Sequence, residues 1–228
     1  MCCILNIETA TPVCSVALSR CSDVLFYKEN KEGASHASLL GVFVAEAIQY
    51  AREIGLTLDA VAVSAGPGSY TGLRIGVSEA KGLCYGFNIP LIAVPSLKIM
   101  AENVILSGMD ADYYCPMIDA RRMEVYAAIY DRQLNEVRET AADVVDEKIY
   151  ASYLKQGTVV FFGNGAAKCK TILSSPNAIF FDEIHPLASA MVSLSETAFL
   201  NRAFEDVAYF EPLYLKEFVA IAGRNKVI

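Results

Sequence analysis

The chain has 228 residues, 54% of them hydrophobic, enough to bury the core of one large or two small domains and too apolar for disorder. Its formal net charge of −7 and pI near 4.9 are the wrong sign for neutralising phosphates, which disfavours autonomous nucleic-acid binding. The seven cysteines are odd in number and form no C-x-x-C pair, the start MCCILNIET lacks a basic leader, and no apolar run is long enough to span a bilayer. These features predict reduced thiols, no zinc site, no membrane association and a cytoplasmic protein.

Residues 2–7 read as a short apolar strand broken by Glu8-Thr9-Ala10-Thr11-Pro12. Residues 13–19 alternate, turn at 20–23, and lead into a third strand at Val24, an antiparallel meander. Ser35 is placed to cap a helix whose Leu39, Leu40, Phe43, Val44, Ala47, Ile48 and Ala51 make one broad apolar face, ended by Gly55. That width allows one flank to cover a sheet and another to meet a partner. His36 lacks a second histidine nearby and reads as a capping or interface residue rather than a metal ligand.

Residues 60–95 hold a disproportionate share of the glycines. Ala60 to Ser64 is a buried strand; Gly66, Pro67 and Gly68 force a turn, and Ser69 or Thr71 caps a helix running to about Gly86. Gly72, Gly76, Gly82 and Gly86 each cost about 1 kcal/mol relative to alanine inside a helix, so the glycine face needs an offset. Gly72, Gly76 and Ala80 fall four apart beside the stripe Leu73, Val77 and Cys84. Two readings remain: close packing on a sheet within one domain, or a surface shared with another subunit. The loop matches neither a P-loop, since Leu73-Arg74 follows Gly72, nor a dinucleotide fingerprint, since Thr71 stands where glycine is required.

Residues 91–94 form the next strand, and Pro95-Ser96 leads into a helix at 97–106. The segment 107–112 is the predicted boundary between a lobe at 1–106 and a smaller lobe at 107–228. Beyond it, strands at 113–118 and 124–130 flank the charged turn Asp119-Ala120-Arg121-Arg122-Met123, residues 131–143 read as a polar connection, and 144–156 as a short helix. A strand at 159–162 is turned by Gly163-Asn164-Gly165 into a helix reaching about Ser174; residues 178–181 are a strand and 187–204 a long helix. A terminal segment, 217–228, is expected to dock on one lobe. No internal repeat is visible.

The run SAGPGSYTGLRIGVSEAKGL, with ILNIETATPVCSVAL, DARRMEVY and EPLYLK, closely resembles the bacterial TsaB (also called YeaZ) family over nearly the whole chain. The resemblance implies an α/β fold of the actin-like ATPase type (ASKHA, ribonuclease H-like), with two lobes of which the second is reduced. Glu8-Thr9 then looks like the start of that fold's phosphate loop, and Gly66, Gly68, Gly163 and Gly165 like vestigial phosphate contacts, although turns explain each equally well. It further implies a non-catalytic subunit for N6-threonylcarbamoyladenosine in tRNAs reading ANN codons, pairing with the catalytic subunit TsaD and helping to recruit the ATPase TsaE. The implied contact lies on the central helices, carried by His36, Leu39, Leu40, Phe43, Gly72, Leu73, Gly76, Val77 and Ala80, with homodimers using a similar surface. Transfer RNA is reached only through the complex, and no cofactor belongs to the chain itself, a nucleotide at the subunit boundary being left open. At the positions of the catalytic subunit's two metal-binding histidines, Ser96 and Met100 supply no imidazole. The alternative is a stand-alone actin-like ATPase or small-molecule kinase using Glu8 and the glycine turns. A metalloprotease is opposed by the chain's having only His36 and His185.

Overall fold

In the computed structural model, which describes residues 2–33, 35–182 and 184–216, the first apolar run is the middle of a five-stranded sheet. β1 (Cys3–Glu8), β2 (Cys14–Arg20) and β3 (Asp23–Asn30) form the antiparallel meander, and β4 (Ala60–Ser64) and β5 (Leu91–Val94) extend the other edge in parallel, giving the order β3-β2-β1-β4-β5. Every residue of β1 and β4 is buried. Both faces of the sheet are covered, so these strands read as unbroken apolar runs rather than alternations. Leu5, Ile7, Val61 and Val63 pack beneath α1 (His36–Glu53) and α2 (Tyr70–Phe87), while Ile4, Ala60, Ala62 and Ile92 meet Ile99, Ala190 and Met191 on the reverse.

After α3 (Ser96–Leu106), a second sheet repeats this plan. β6 (Tyr113–Asp119), β7 (Glu124–Tyr130) and β8 (Glu136–Val144) form a meander, and β9 (Val159–Phe162) and β10 (Ala178–Phe181) add in parallel beside β6. Between β8 and β9 lies the short α4 (Ala151–Gln156). The topology recurs although the sequence shows no repeat, because register and crossover direction, not residue identity, define it.

The two lobes exchange elements across residue 107. α3 turns Leu97, Met100, Ala101 and Val104 toward Tyr114, Ile118 and Phe162 of the second sheet. Conversely, the 3-10 turn Ala188–Met191 and α5 (Val192–Leu200) place Met191, Leu194 and Ala198 on the first. Each lobe therefore borrows an element from the other's stretch of chain.

Other expectations change for physical reasons. Residues 131–143, read as a connection, contain β8, an edge strand whose charges blunt it against pairing with another chain and mask its periodicity. Helix 144–156 shrinks to α4 because Asp146 Oδ1 accepts from the Lys148 and Ile149 amides and holds a turn instead. Of the helix expected from Gly163 to about Ser174, only the 3-10 turn Ala167–Cys169 forms. The helix from 187 begins as a 3-10 turn, its Ala188 amide donating to Ser15 Oγ of β2 at 2.9 Å. Ser35 precedes α1 but caps nothing; its hydroxyl donates to Asn30 Oδ1. Ser69 does cap α2, accepting from the Gly72 amide at 3.2 Å. The expected terminal segment 217–228 lies outside the described residues.

The glycine face of α2 lies against β1. A Cβ on Gly72 would overlap the Thr9 carbonyl oxygen, and one on Gly76 would overlap Thr9 Oγ1, whereas Gly82 meets nothing. Gly72→Ala is expected to lower stability by about 1–3 kcal/mol, and Gly82→Ala to raise it by about 1 kcal/mol. Urea midpoints check this; shifts of the same sign in both variants would refute it.

Candidate functional site

The two sheets face one another across a cleft of about 540 Å³. Its floor is built where β1 and β4 end. Thr9, Ala10 and Thr11 leave β1, the loop 65–69 leaves β4, and the two segments are bound together by the Ser69 amide donating to the Ala10 carbonyl at 2.7 Å. The opposite wall is residues 118–121 with Asn164, whose side-chain oxygen accepts from the Asp119 amide at 2.9 Å. Residues 213–216 lie across the mouth.

Glu8 is fully buried. Its Oε1 accepts from the Ala10 amide at 2.5 Å, and its Oε2 has no partner among the described residues. Burial outweighs these hydrogen bonds and pushes the carboxyl up to about 8, so it is mainly protonated at neutral pH. Thr9 Oγ1, Thr11 Oγ1 and Ser96 Oγ are likewise buried without hydrogen-bond partners among the described residues. Met100 beside them is buried in the interlobe core.

A magnesium nucleotide requires ionised carboxylates and an open cradle of amides, and these residues do not fit one. Glu8 is neutral and sealed. A Cβ on Gly68 would overlap the Ala10 carbonyl, one on Gly66 would come within 2.8 Å of the Leu213 carbonyl oxygen, one on Gly163 would overlap Met100, and one on Gly165 would stand 3.1 Å from the Asp119 amide. The expected phosphate loops are thereby corrected: these glycines admit the chain's own backbone and side chains. Gly66 at φ +87° and Gly163 at φ +104° also hold turns that other residues resist. Among the described residues, no three His, Cys, Asp or Glu side chains gather as a metal site would require. Burial also lifts the Cys3, Cys14 and Cys84 thiols to about 11, which keeps them protonated and poor nucleophiles.

The expected partner residues are mostly interior. Leu40, Gly72, Leu73, Gly76, Val77 and Ala80 are buried beneath α1 and α2, and Leu39 and Phe43 are half-buried. His36 is buried too, its Nε2–H donating to the Thr11 carbonyl at 2.9 Å. Apolar spacing had located the stripe facing the sheet. The exposed faces carry Ala37, Gly41, Val42 and Ala45 on α1, and Arg74, Ser78, Gly82 and Tyr85 on α2. Val42 at 49% and Tyr85 at 86% exposure are apolar surface that nothing among the described residues covers. The available signal was their position on the helix side opposite the core stripe.

In the second lobe, Lys168 pairs with Asp119 and Lys216 with Glu124, so both acids of the DARRME turn are internally neutralised. Arg121 and Arg122 stand exposed at φ +72° and +50°. Among the described residues, no helix is long and apolar enough to cross a membrane.

Comparison with known proteins agrees with this architecture. A family model described as TsaD, tRNA N6-adenosine threonylcarbamoyltransferase, matches residues 31–223. The Escherichia coli K12 protein "tRNA threonylcarbamoyladenosine biosynthesis protein TsaB" is 31% identical over 95% of this chain and 96% of its own length. The Haemophilus influenzae protein of the same name is 27% identical over 93% of each. Among solved structures, YeaZ from Pseudomonas aeruginosa superposes with a TM-score of 0.79 at 26% identity, covering 94% of this chain and all of that one. A second Pseudomonas aeruginosa structure, described as similar to peptidase YEAZ, superposes at 0.83 with 25% identity over 95% of this chain and all of its own. The two-lobed α/β architecture is that of the actin-like ATPase fold with a reduced second lobe.

Proposed function

The chain belongs to the TsaB family, and from that premise we propose that it is a docking subunit in the biosynthesis of threonylcarbamoyladenosine in tRNA, with no reaction of its own. The observation that carries this reading is the filled floor of the cleft. The carboxyl that would have to be ionised is buried and neutral, and the glycine turns are occupied by Ala10, Leu213 and Met100. What the fold leaves outward is the surface of α1 and α2.

In this reading the outward faces of the two helices bind a TsaD-type catalytic subunit, and the pair then recruits a TsaE-type ATPase. Small residues at Ala37, Gly41 and Ala45 allow a partner helix to approach closely, and Val42 and Tyr85 supply apolar area that desolvates on contact. A second copy of the chain would use the same faces. The complex, not this acidic chain, holds the tRNA, and the work is done in the cytoplasm.

Two measurements test this. Reconstituted tRNA modification by the TsaD-type and TsaE-type subunits should depend on adding this chain, and turnover undiminished without it would refute the reading. Tyr85→Glu should abolish co-elution with the TsaD-type subunit in gel filtration while leaving the melting temperature within about 2 °C, since an exposed substitution costs little stability. Undisturbed co-elution would remove the interface from this face.

A further inference from the structure

Two of the motifs singled out in the sequence, TGLRIG and EPLYLK, lie about 140 positions apart and converge on one groove. The groove, of about 430 Å³, runs between α2 and residues 211–216. It exists because this C-terminal arm is tied to α2: Lys81 Nζ donates to the Ala208 and Phe210 carbonyls at 3.0 Å each. Further along the arm, the Leu213 amide donates to the Ala65 carbonyl at 2.8 Å.

At its centre is Arg74, whose side chain is held although it stands in solvent. Its Nη1 donates to Tyr70 Oη at 2.7 Å, its guanidinium lies 5.5 Å from the Tyr70 ring centroid, and that ring packs on Tyr214 at 4.9 Å. An exposed arginine ordinarily loses much rotamer freedom on binding. Here two tyrosines have already ordered it, and among the described residues no hydrogen bond takes the other N–H groups of the fork. Ser78, one turn on, adds a hydroxyl to the same wall.

The electrostatics select an anion. Lys81 is solvated by carbonyls, which leave its charge in place; Lys216 is neutralised by Glu124, and Glu211 is the groove's acid. Arg74 and Lys81 thus outweigh Glu211 on a chain whose total charge is −7. With Glu211 set against Arg74 and Lys81, the small positive surplus is too little to track a nucleic-acid backbone against that field, whereas a planar guanidinium matches one carboxylate in a bidentate pair.

We propose that the Arg74 groove receives an acidic side chain from the protein that docks on α2, and that this pairing fixes the orientation of the complex. The inference rests on the docking reading above and adds the chemistry of the contact.

The test is titration calorimetry of the full chain with the TsaD-type subunit at low and high salt. Arg74→Ala should weaken binding by about 10- to 100-fold and flatten the salt dependence. Arg74→Lys should lose nearly as much, because it keeps the charge but not the fork. Tyr214→Ala should lose part, and Lys31→Ala, in the loop before α1 and outside the groove lining, nothing. Binding by Arg74→Ala within about twofold of the original chain, or full rescue by Arg74→Lys, would overturn the groove while leaving the docking reading standing. Absence of any binding by the original chain would overturn the docking reading itself, and with it the groove. Retention of tRNA by the isolated chain, lost in Arg74→Ala, would overturn the proposal in favour of a nucleic-acid contact.

Discussion

Exchanging Arg138 for alanine is expected to cost about 3–5 kcal/mol of folding stability, as breaking one side of a buried ion pair does. Arg138 Nη2 donates to Asp143 Oδ1 at 2.7 Å, and the Tyr150 hydroxyl donates to Asp143 Oδ2 at 2.6 Å. The Asp143 side chain is 4% exposed and that of Arg138 22%. Its guanidinium also lies 5.4 Å from the Tyr150 ring centroid. Burial, reinforced by the neighbouring Cys115 and Asp143, drives the Tyr150 phenol well up, so it remains a donor. With Arg138 gone, the carboxylate keeps, among the described residues, only that hydroxyl in the core of the second lobe.

The pair is not an ideal one, since Arg138 Nη1 is buried without a hydrogen-bond partner among the described residues. Replacing both partners, as Arg138→Met with Asp143→Leu, should therefore recover most of the loss, because neither desolvated charge remains. Urea unfolding of the two single variants and the double variant measures it. A double variant as unstable as the summed singles, or an Arg138→Ala cost below about 1 kcal/mol, would refute the account.

The second large effect should appear as a pH dependence that Glu8→Gln abolishes. Burial holds the folded-state carboxyl at about 8, against 4.5 in the absence of the fold. The folded chain therefore keeps a proton that the unfolded chain releases. The associated stability is fully present below about pH 4.5, falls by roughly 1.4 kcal/mol per pH unit as pH rises, and is gone above about 8. The whole loss is on the order of 3–5 kcal/mol.

Glutamine cannot ionise and keeps an oxygen for the Ala10 amide. The variant should match the original chain within about 1 kcal/mol at pH 5 and be several kcal/mol more stable at pH 9. Denaturant unfolding across that range checks it, and parallel stability profiles would show that Glu8 ionises without penalty. The same result bears on function, since a carboxyl that stays neutral cannot serve as a metal ligand at physiological pH.

What could be read from the residues alone was what short-range physics determines. Proline at 67 and glycines at 66 and 68 forced the turn after β4, Ser69 or Thr71 was placed to cap α2, and the apolar spacing of Leu40, Val44, Ala47 and Ala51 placed one side of α1 on a core. β8 escaped because an edge strand needs no apolar face on its solvent side, so its Arg138 and Glu139 looked like a connection. Most of the expected partner residues lie in the interior because helical periodicity identifies a buried stripe without saying whether this chain or another buries it. Gly72 and Gly76 form a close-approach face, and what approaches is the Thr9 carbonyl at Gly72 and the Thr9 side chain at Gly76.

The sequence by itself determined the α/β character, the meander, the glycine turn and the family. Only the tertiary structure decided that α3 and α5 serve the opposite lobes, that Glu8 is neutral, and that Arg74 and Tyr214 share a groove. Dihedral preference and periodicity act over a few residues and are written locally. Desolvation and stacking depend on which distant segments arrive together, and that is settled only when the sheets close.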